Sequence, residues 1–149
     1  MRAVVQRVSH AEVRVQGRVA GAIGPGLCVL LCAMQGDGDN DARFIARKIR
    51  TLRIFNDETG KMNRSLADTG GAILAVSQFT LSADTASGTR PSFSAAMEPG
   101  EGRRLFDQTC ALWSEAGIAV ATGEFGAKME VELLNDGPVT IILDSRNKH

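Results

Sequence analysis

The run Leu27-Cys28-Val29-Leu30-Leu31-Cys32-Ala33-Met34 is apolar at every position and ends at Gly36-Asp37-Gly38. It has the length of a strand, and with no polar alternation it has no face to offer water. It therefore belongs in a sheet covered on both sides. Ala72-Ile73-Leu74-Ala75-Val76 is a second stretch of the same kind and runs directly into the polar Ser77-Gln78-Phe79-Thr80-Leu81. Two strands of this type oblige the rest of the chain to provide cover on each face of the sheet.

The flanking sequence provides it. Val13 and Val15 alternate with Glu12, Arg14 and Gln16, and Gln16-Gly17 then makes a tight turn into Val19, which predicts a hairpin. From Asp39 to about Leu52 the period changes to that of a helix, gathering Phe44, Ile45, Ile49 and Leu52 on one side and Arg43, Arg47 and Arg50 on the other. Such a basic stripe is either a solvated face or a contact for phosphates. Asn56 to Asn63 is a polar turn, and Ser82 to Pro99, with Gly88 and Pro91 among serines and threonines, is a long loop of the kind that often carries function. A second helix spans Glu101 to Ala116, with Leu105, Phe106, Cys110 and Trp113 as its core stripe and Gly117 at its C-terminal cap. Strands return at Ile118–Ala121, at Met129, Val131 and Leu133, and at Val139–Leu143, the last two separated by a turn at Asn135-Asp136-Gly137-Pro138. The expectation is a single α+β domain over residues 1–149: a curled, barrel-like, mixed or antiparallel sheet with two main helices packed on one side.

Composition removes several functional classes. The 17 Lys and Arg balance the 17 Asp and Glu, so a global positive field for nonspecific nucleic-acid binding is missing and any such contact is local. No apolar run approaches membrane-spanning length and Gln6-Arg7 interrupts the N-terminal apolar stretch, so the expected location is the cytoplasm, with no membrane partner. Cys28, Cys32 and Cys110 lack CxxC spacing and read as small buried hydrophobes. With only His10 and the terminal His149, zinc hydrolysis and a histidine triad are poorly supplied. Glu130 and Glu132 share one face of a strand, where solvation explains them. Ser77-Gln78-Phe79-Thr80 gathers hydroxyls, an amide and backbone N–H groups at a strand end, where groups are held rigidly yet stay reachable. It is either a plain strand end or a site in which Thr80 attacks, Gln78 binds and N–H groups stabilise an oxyanion.

Those stretches taken together resemble the D-aminoacyl-tRNA deacylase family over nearly the whole chain. The resemblance rests on Met1-Arg2-Ala3-Val4-Val5-Gln6-Arg7-Val8, Gly60-Lys61-Met62-Asn63, Ser77-Gln78-Phe79-Thr80-Leu81, Arg90-Pro91-Ser92-Phe93, Thr122-Gly123-Glu124-Phe125-Gly126-Ala127 and Asn135-Asp136-Gly137-Pro138-Val139-Thr140, in that order. It implies an editing hydrolase that cleaves the ester between a D-amino acid and the 3′-terminal adenosine of tRNA. It also implies a cytoplasmic homodimer with no metal or other cofactor and no DNA partner. Ser77, Gln78, Phe79 and Thr80 would form the catalytic segment, and Phe125, Gly126 and Met129 would belong to the substrate pocket. Gly137-Pro138 corresponds to the family's Gly-cisPro motif, which enters the partner subunit's pocket and rejects L-amino acids. A filter that senses Cβ should also admit glycine.

For the chemical step, Thr80 as nucleophile lacks an adjacent base. The resemblance favours assistance from the 2′-hydroxyl of the terminal adenosine, with the protein positioning the ester. Ala86-Ser87 stand where relatives commonly carry lysine, which puts a tRNA contact there in doubt. Lys61, Arg64, Arg90 and the Arg43, Arg47, Arg50 stripe remain as candidates for tRNA phosphates. The alternatives are a tRNA-binding module without turnover, an L-seryl-tRNA editing domain of related shape, and a purely structural dimer.

Overall fold

The computed structural model describes residues 1–147, and His149 of the sequence reading lies outside the described residues. The chain opens with β1 (Arg2–Val15), which turns through Gln16 and Gly17, both at positive φ, into β2 (Arg18–Ile23). These two strands form the expected hairpin. β3 (Gly26–Cys32) follows, antiparallel to the first half of β1, and then α1 (Asp39–Thr51). A small hairpin of β4 (Phe55–Asn56) and β5 (Met62–Arg64) occupies the polar segment, and one further turn of helix, α2 (Leu66–Thr69), is capped by Ser65. Sequence periodicity could not register a helix so short. β6 (Ala72–Ser77), α3 (Pro99–Glu115), β7 (Val120–Thr122) and β8 (Glu130–Asp144) complete the chain.

The main sheet has the order β2-β1-β3-β6-β7, with β8 along the other edge of β1. The pairs β3–β6 and β6–β7 are parallel and the rest antiparallel, so the sheet is mixed. It curls until β2 meets β7: a Cβ on Gly21 would lie 2.4 Å from the carbonyl oxygen of Thr122. Only glycine allows so close an approach. β3 and β6 are covered on both faces, as their uniform apolarity requires. Leu27, Val29, Leu31, Ile73 and Ala75 pack against α1 and α3, while Cys28, Leu74 and Val76 fill the inside of the curl with Val8, Ala11 and Val13. Trp113, fully buried, donates its indole N–H to the Ala46 carbonyl at 3.0 Å and so pins α3 to α1.

One expectation is overturned. Asn135–Pro138 is not a turn between two separate strands. β8 is a single strand whose halves both pair with β1; Asn135 still faces Val8, and Asp136, Gly137, Pro138 and Val139 bulge out where the register shifts between Gln6 and Val8. The long β1 gives β8 a partner on both sides of the interruption, so pairing prevails over the local turn signal.

Candidate active site

β6 delivers Ser77 to the end of the sheet, where the chain tightens into a 3₁₀ turn, Phe79–Ser82. Gln78 joins the two, its N–H bound to the Leu31 carbonyl of the neighbouring strand at 2.9 Å. The turn closes through Leu81 N–H to Gln78 O at 3.1 Å and Ala83 N–H to Thr80 O at 3.1 Å. Phe79 and Thr80 open the turn, so their own N–H groups have no acceptor within it. Gln78 donates its side-chain amide to the Thr80 hydroxyl. Phe79 is 57% exposed despite its size and is steadied by an edge-on contact with Phe93 at 5.3 Å.

Beside this turn opens a cavity of about 480 Å³. Ser77, Gln78 and Phe79 form one wall, and Phe125, Gly126 and Met129 form another, so two groups predicted separately meet in one place. Thr80 stands next to it, exposed, and is not part of the lining. Val76, Ala96, Met97, Pro99, Ala127 and Val131 also line the cavity and were not expected there. The available signal was Glu98-Pro99: Glu98 caps α3, accepting from the N–H groups of Gly100 and Glu101, and this start brings Met97 and Pro99 to the cavity mouth. None of the lining residues is ionisable. The cysteines offer no reactive thiolate, since burial pushes Cys28 up to about 11 and Cys110 up to about 12, and raises Cys32 as well.

Gly137-Pro138 does not line its own chain's cavity. The peptide bond between the two is cis, and the bulge that carries them is tied down from both sides. Asn135 Oδ1 accepts the Val139 N–H at 2.8 Å. Arg7, 8% exposed, donates through Nε to the Asp136 carbonyl at 2.8 Å and through Nη1 to the Ile54 carbonyl at 2.7 Å. Sequence reading missed Arg7, although its place after Ala3 and Val5 in an alternating strand put it on the inward face.

The six basic candidates also stand apart from the cavity. Arg43, Arg47 and Arg50 border shallow depressions on α1. Lys61 and Arg64 are exposed at the β4–β5 hairpin, where Arg64 donates to the Asp68 carbonyl, and Arg90 is exposed in the long loop. Among the described residues no cluster of three His, Cys, Asp or Glu is placed to hold a metal, and no helix is long and apolar enough to cross a membrane.

Comparison with known proteins bears on the same residues. A family model described as D-Tyr-tRNA(Tyr) deacylase matches residues 4–144. A D-aminoacyl-tRNA deacylase from Cereibacter sphaeroides is 61% identical over 145 residues, 97% of this chain and 100% of the relative. One from Heliobacterium modesticaldum is 56% identical over 146 residues, 98% of this chain and 97% of the relative. Among solved structures, the c-Myc DNA Unwinding Element Binding Protein superposes with a TM-score of 0.90 at 40% identity, covering 97% of this chain and 98% of the other. A structure described as that of "a probable eukaryotic D-amino acid tRNA deacylase", 17% identical with a TM-score of 0.79, shares the fold over 95% of this chain and 97% of its own. A family match spanning both the Ser77–Thr80 turn and the Gly137-Pro138 bulge, with relatives of the same length, leads to one conclusion: the chain belongs to the D-aminoacyl-tRNA deacylase family.

Proposed function

We propose that this chain hydrolyses the ester between a D-amino acid and the 3′-terminal adenosine of tRNA, using that adenosine's own 2′-hydroxyl. The observation that carries the reading is the cavity lining, which holds the start of a strand-end turn, its first N–H groups without an acceptor inside the turn, and no ionisable side chain. A site of that kind can bind an ester and stabilise its oxyanion, but it has no general base of its own. The substrate's 2′-hydroxyl supplies what the protein lacks, activating water or assisting its attack. The Phe79 and Thr80 N–H groups face the developing oxyanion, Ser77 and Gln78 hold polar parts of the substrate, and Phe125, Gly126 and Met129 receive the terminal nucleoside.

Chirality is read by shape. D and L substrates differ in the direction of Cβ, and a backbone wall, unlike a side chain, cannot rotate out of the way. Gly137-Pro138 provides that wall in the pocket of a second copy, which accords with its position outside its own cavity. The active form is therefore a homodimer in the cytoplasm. Glycine has no Cβ and passes the same filter. Lys61, Arg64, Arg90, Arg43, Arg47 and Arg50 contribute contacts to tRNA phosphates, so binding weakens with salt. DNA binding, stated in the name of one structural relative, finds no global positive field here, since the formal charge is zero.

The test is hydrolysis of matched D-tyrosyl-, L-tyrosyl- and glycyl-tRNA with chelator present and enzyme far below substrate. Rapid loss of the D and glycyl esters with the L ester spared is expected. Equal loss of D and L would remove the Gly137-Pro138 filter from the account, and saturable tRNA binding without turnover would leave a binding module.

A further inference from the structure

If the oxyanion donors are the N–H groups of Phe79 and Thr80, the reaction depends on how the 3₁₀ turn is oriented. A trans peptide unit is planar, with its C=O and N–H pointing in opposite directions. Whatever holds the Phe79 carbonyl therefore also aims the Thr80 N–H, and whatever holds the Gln78 carbonyl aims the Phe79 N–H. The Gln78 carbonyl is held inside the turn by the Leu81 N–H. The Phe79 and Leu81 carbonyls are held from outside it, by one rung of the sheet.

Arg2 is the register partner of Cys32 on β3 and of Asp144 on β8. Directly opposed residues of an antiparallel pair present their side chains on the same face. From that face Arg2 Nη1 donates to the Leu81 carbonyl at 2.9 Å, while its Nε meets Asp144 at 3.3 Å. The Cys32 sulfur lies 3.6 Å from the Phe79 carbonyl, with the Ala33 carbonyl at 3.4 Å and Met34 Sδ at 3.8 Å also within reach of its hydrogen. One rung thus touches the turn at its beginning, through the Phe79 carbonyl, and at its end, through the Leu81 carbonyl.

We propose that Arg2 and Cys32 are positioning residues for the hydrolysis: Cys32 holds the Phe79 carbonyl, whose peptide plane carries the Thr80 N–H, and Arg2 anchors the far end of the same turn at the Leu81 carbonyl, so that the Thr80 N–H faces the ester. The inference rests on the N–H reading of the site, and two sets of variants separate them. In steady-state hydrolysis of D-tyrosyl-tRNA, Cys32→Ala and Arg2→Gln each lower kcat about tenfold, a fraction of the ~10²–10³ that deleting an oxyanion donor costs. KM stays within about twofold, because the groups that bind the substrate are untouched. Cys32→Ser and Arg2→Lys, which keep a donor in place, recover most of the loss. Wild-type kcat in Cys32→Ala and Arg2→Gln overturns the proposal, as does a Cys32→Ser no better than Cys32→Ala.

The second set tests the N–H reading itself. Phe79→Pro deletes one N–H at the first position of the turn, where proline is accommodated, and Phe79→Ala keeps it. A kcat for Phe79→Pro far below that of Phe79→Ala, together with the Arg2 and Cys32 losses, supports both. The same gap with wild-type Arg2 and Cys32 variants leaves the N–H reading standing and overturns the positioning role. Equal kcat in the two Phe79 variants removes the Phe79 N–H from the oxyanion reading, and wild-type kcat in the Arg2 and Cys32 variants beside it overturns the positioning role as well.

Discussion

Gly137 has a φ of +147°, and a Cβ built on it would lie 2.8 Å from both the N and Cγ2 of Val139 and 3.2 Å from Arg7 Nη2. The Val139 nitrogen is itself fixed by Asn135, so the backbone has nowhere to yield. Holding an L residue in such a conformation costs about 1–3 kcal/mol. Gly137→Ala is therefore expected to reshape the bulge and reduce D-tyrosyl-tRNA hydrolysis at least about tenfold while circular dichroism shows the sheet retained. Thr80 carries the opposite expectation. The residue is exposed, and among the described residues its hydroxyl is partnered by the Gln78 amide and by no base. Thr80→Ala should keep most of the activity, whereas a tRNA ending in 2′-deoxyadenosine should be nearly inert to the wild-type protein; a dead Thr80→Ala would make the side chain the nucleophile. The sequence marked both positions through motifs. It could not reveal that Arg7 reaches the Asp136 carbonyl, because that contact joins residues 129 positions apart.

At the scale of elements, hydrophobic patterning made β3, β6, α1 and α3 legible because each meets a distinct demand for burial. α2 was invisible because a four-residue helix is set by its Ser65 cap and not by periodicity. The β4–β5 hairpin was read as a polar turn, and one carboxylate braces its tip beside the backbone bonds from the N–H groups of Asp57, Gly60 and Asn63. Asp57 accepts from the Thr59 hydroxyl, the Asn63 amide and the N–H groups of Thr59 and Lys61. These bonds, the Thr59 hydroxyl first, hold its pKa well below the ordinary carboxylate range. A depressed folded-state pKa gives stability that is present above the unfolded value near 3.9 and is lost only as the pH falls through the lower, folded value. Amide exchange at Thr59 and Lys61 should therefore show the tip closed from about pH 7 to about pH 4 and opening only below that, while Asp57→Ala should be open throughout. If Lys61 and Arg64 contact tRNA, the same variant should weaken binding.

For the whole molecule, β8 pairs with β1 alone among the described strands, and it carries the apolar side chains of Ile142, 78% exposed, and Leu134, 54% exposed. An apolar strand with a free edge invites pairing or cover, and a second copy would supply it while bringing Gly137-Pro138 to the neighbouring cavity. Ile142→Asp should shift the mass measured by light scattering from dimer to monomer, with D-ester hydrolysis falling in proportion. An unchanged dimer would place the interface on another surface. A docking surface for a second copy is not legible as a pattern, because an exposed Ile in a strand reads the same whether it meets water or a partner.

The pairing of Arg2 with Asp144 also governs how the molecule comes into being. β1, the strand on which the sheet is built, leaves the ribosome before the other strands, and β8, which pairs with it from Arg2 to Arg14, leaves after them. Pairings between segments so distant in sequence form slowly, because a long loop must close before any contact rewards it. Until Asp144 emerges, β1 has one edge without a partner, and the nascent chain is most open to chaperones and to misassociation during that interval.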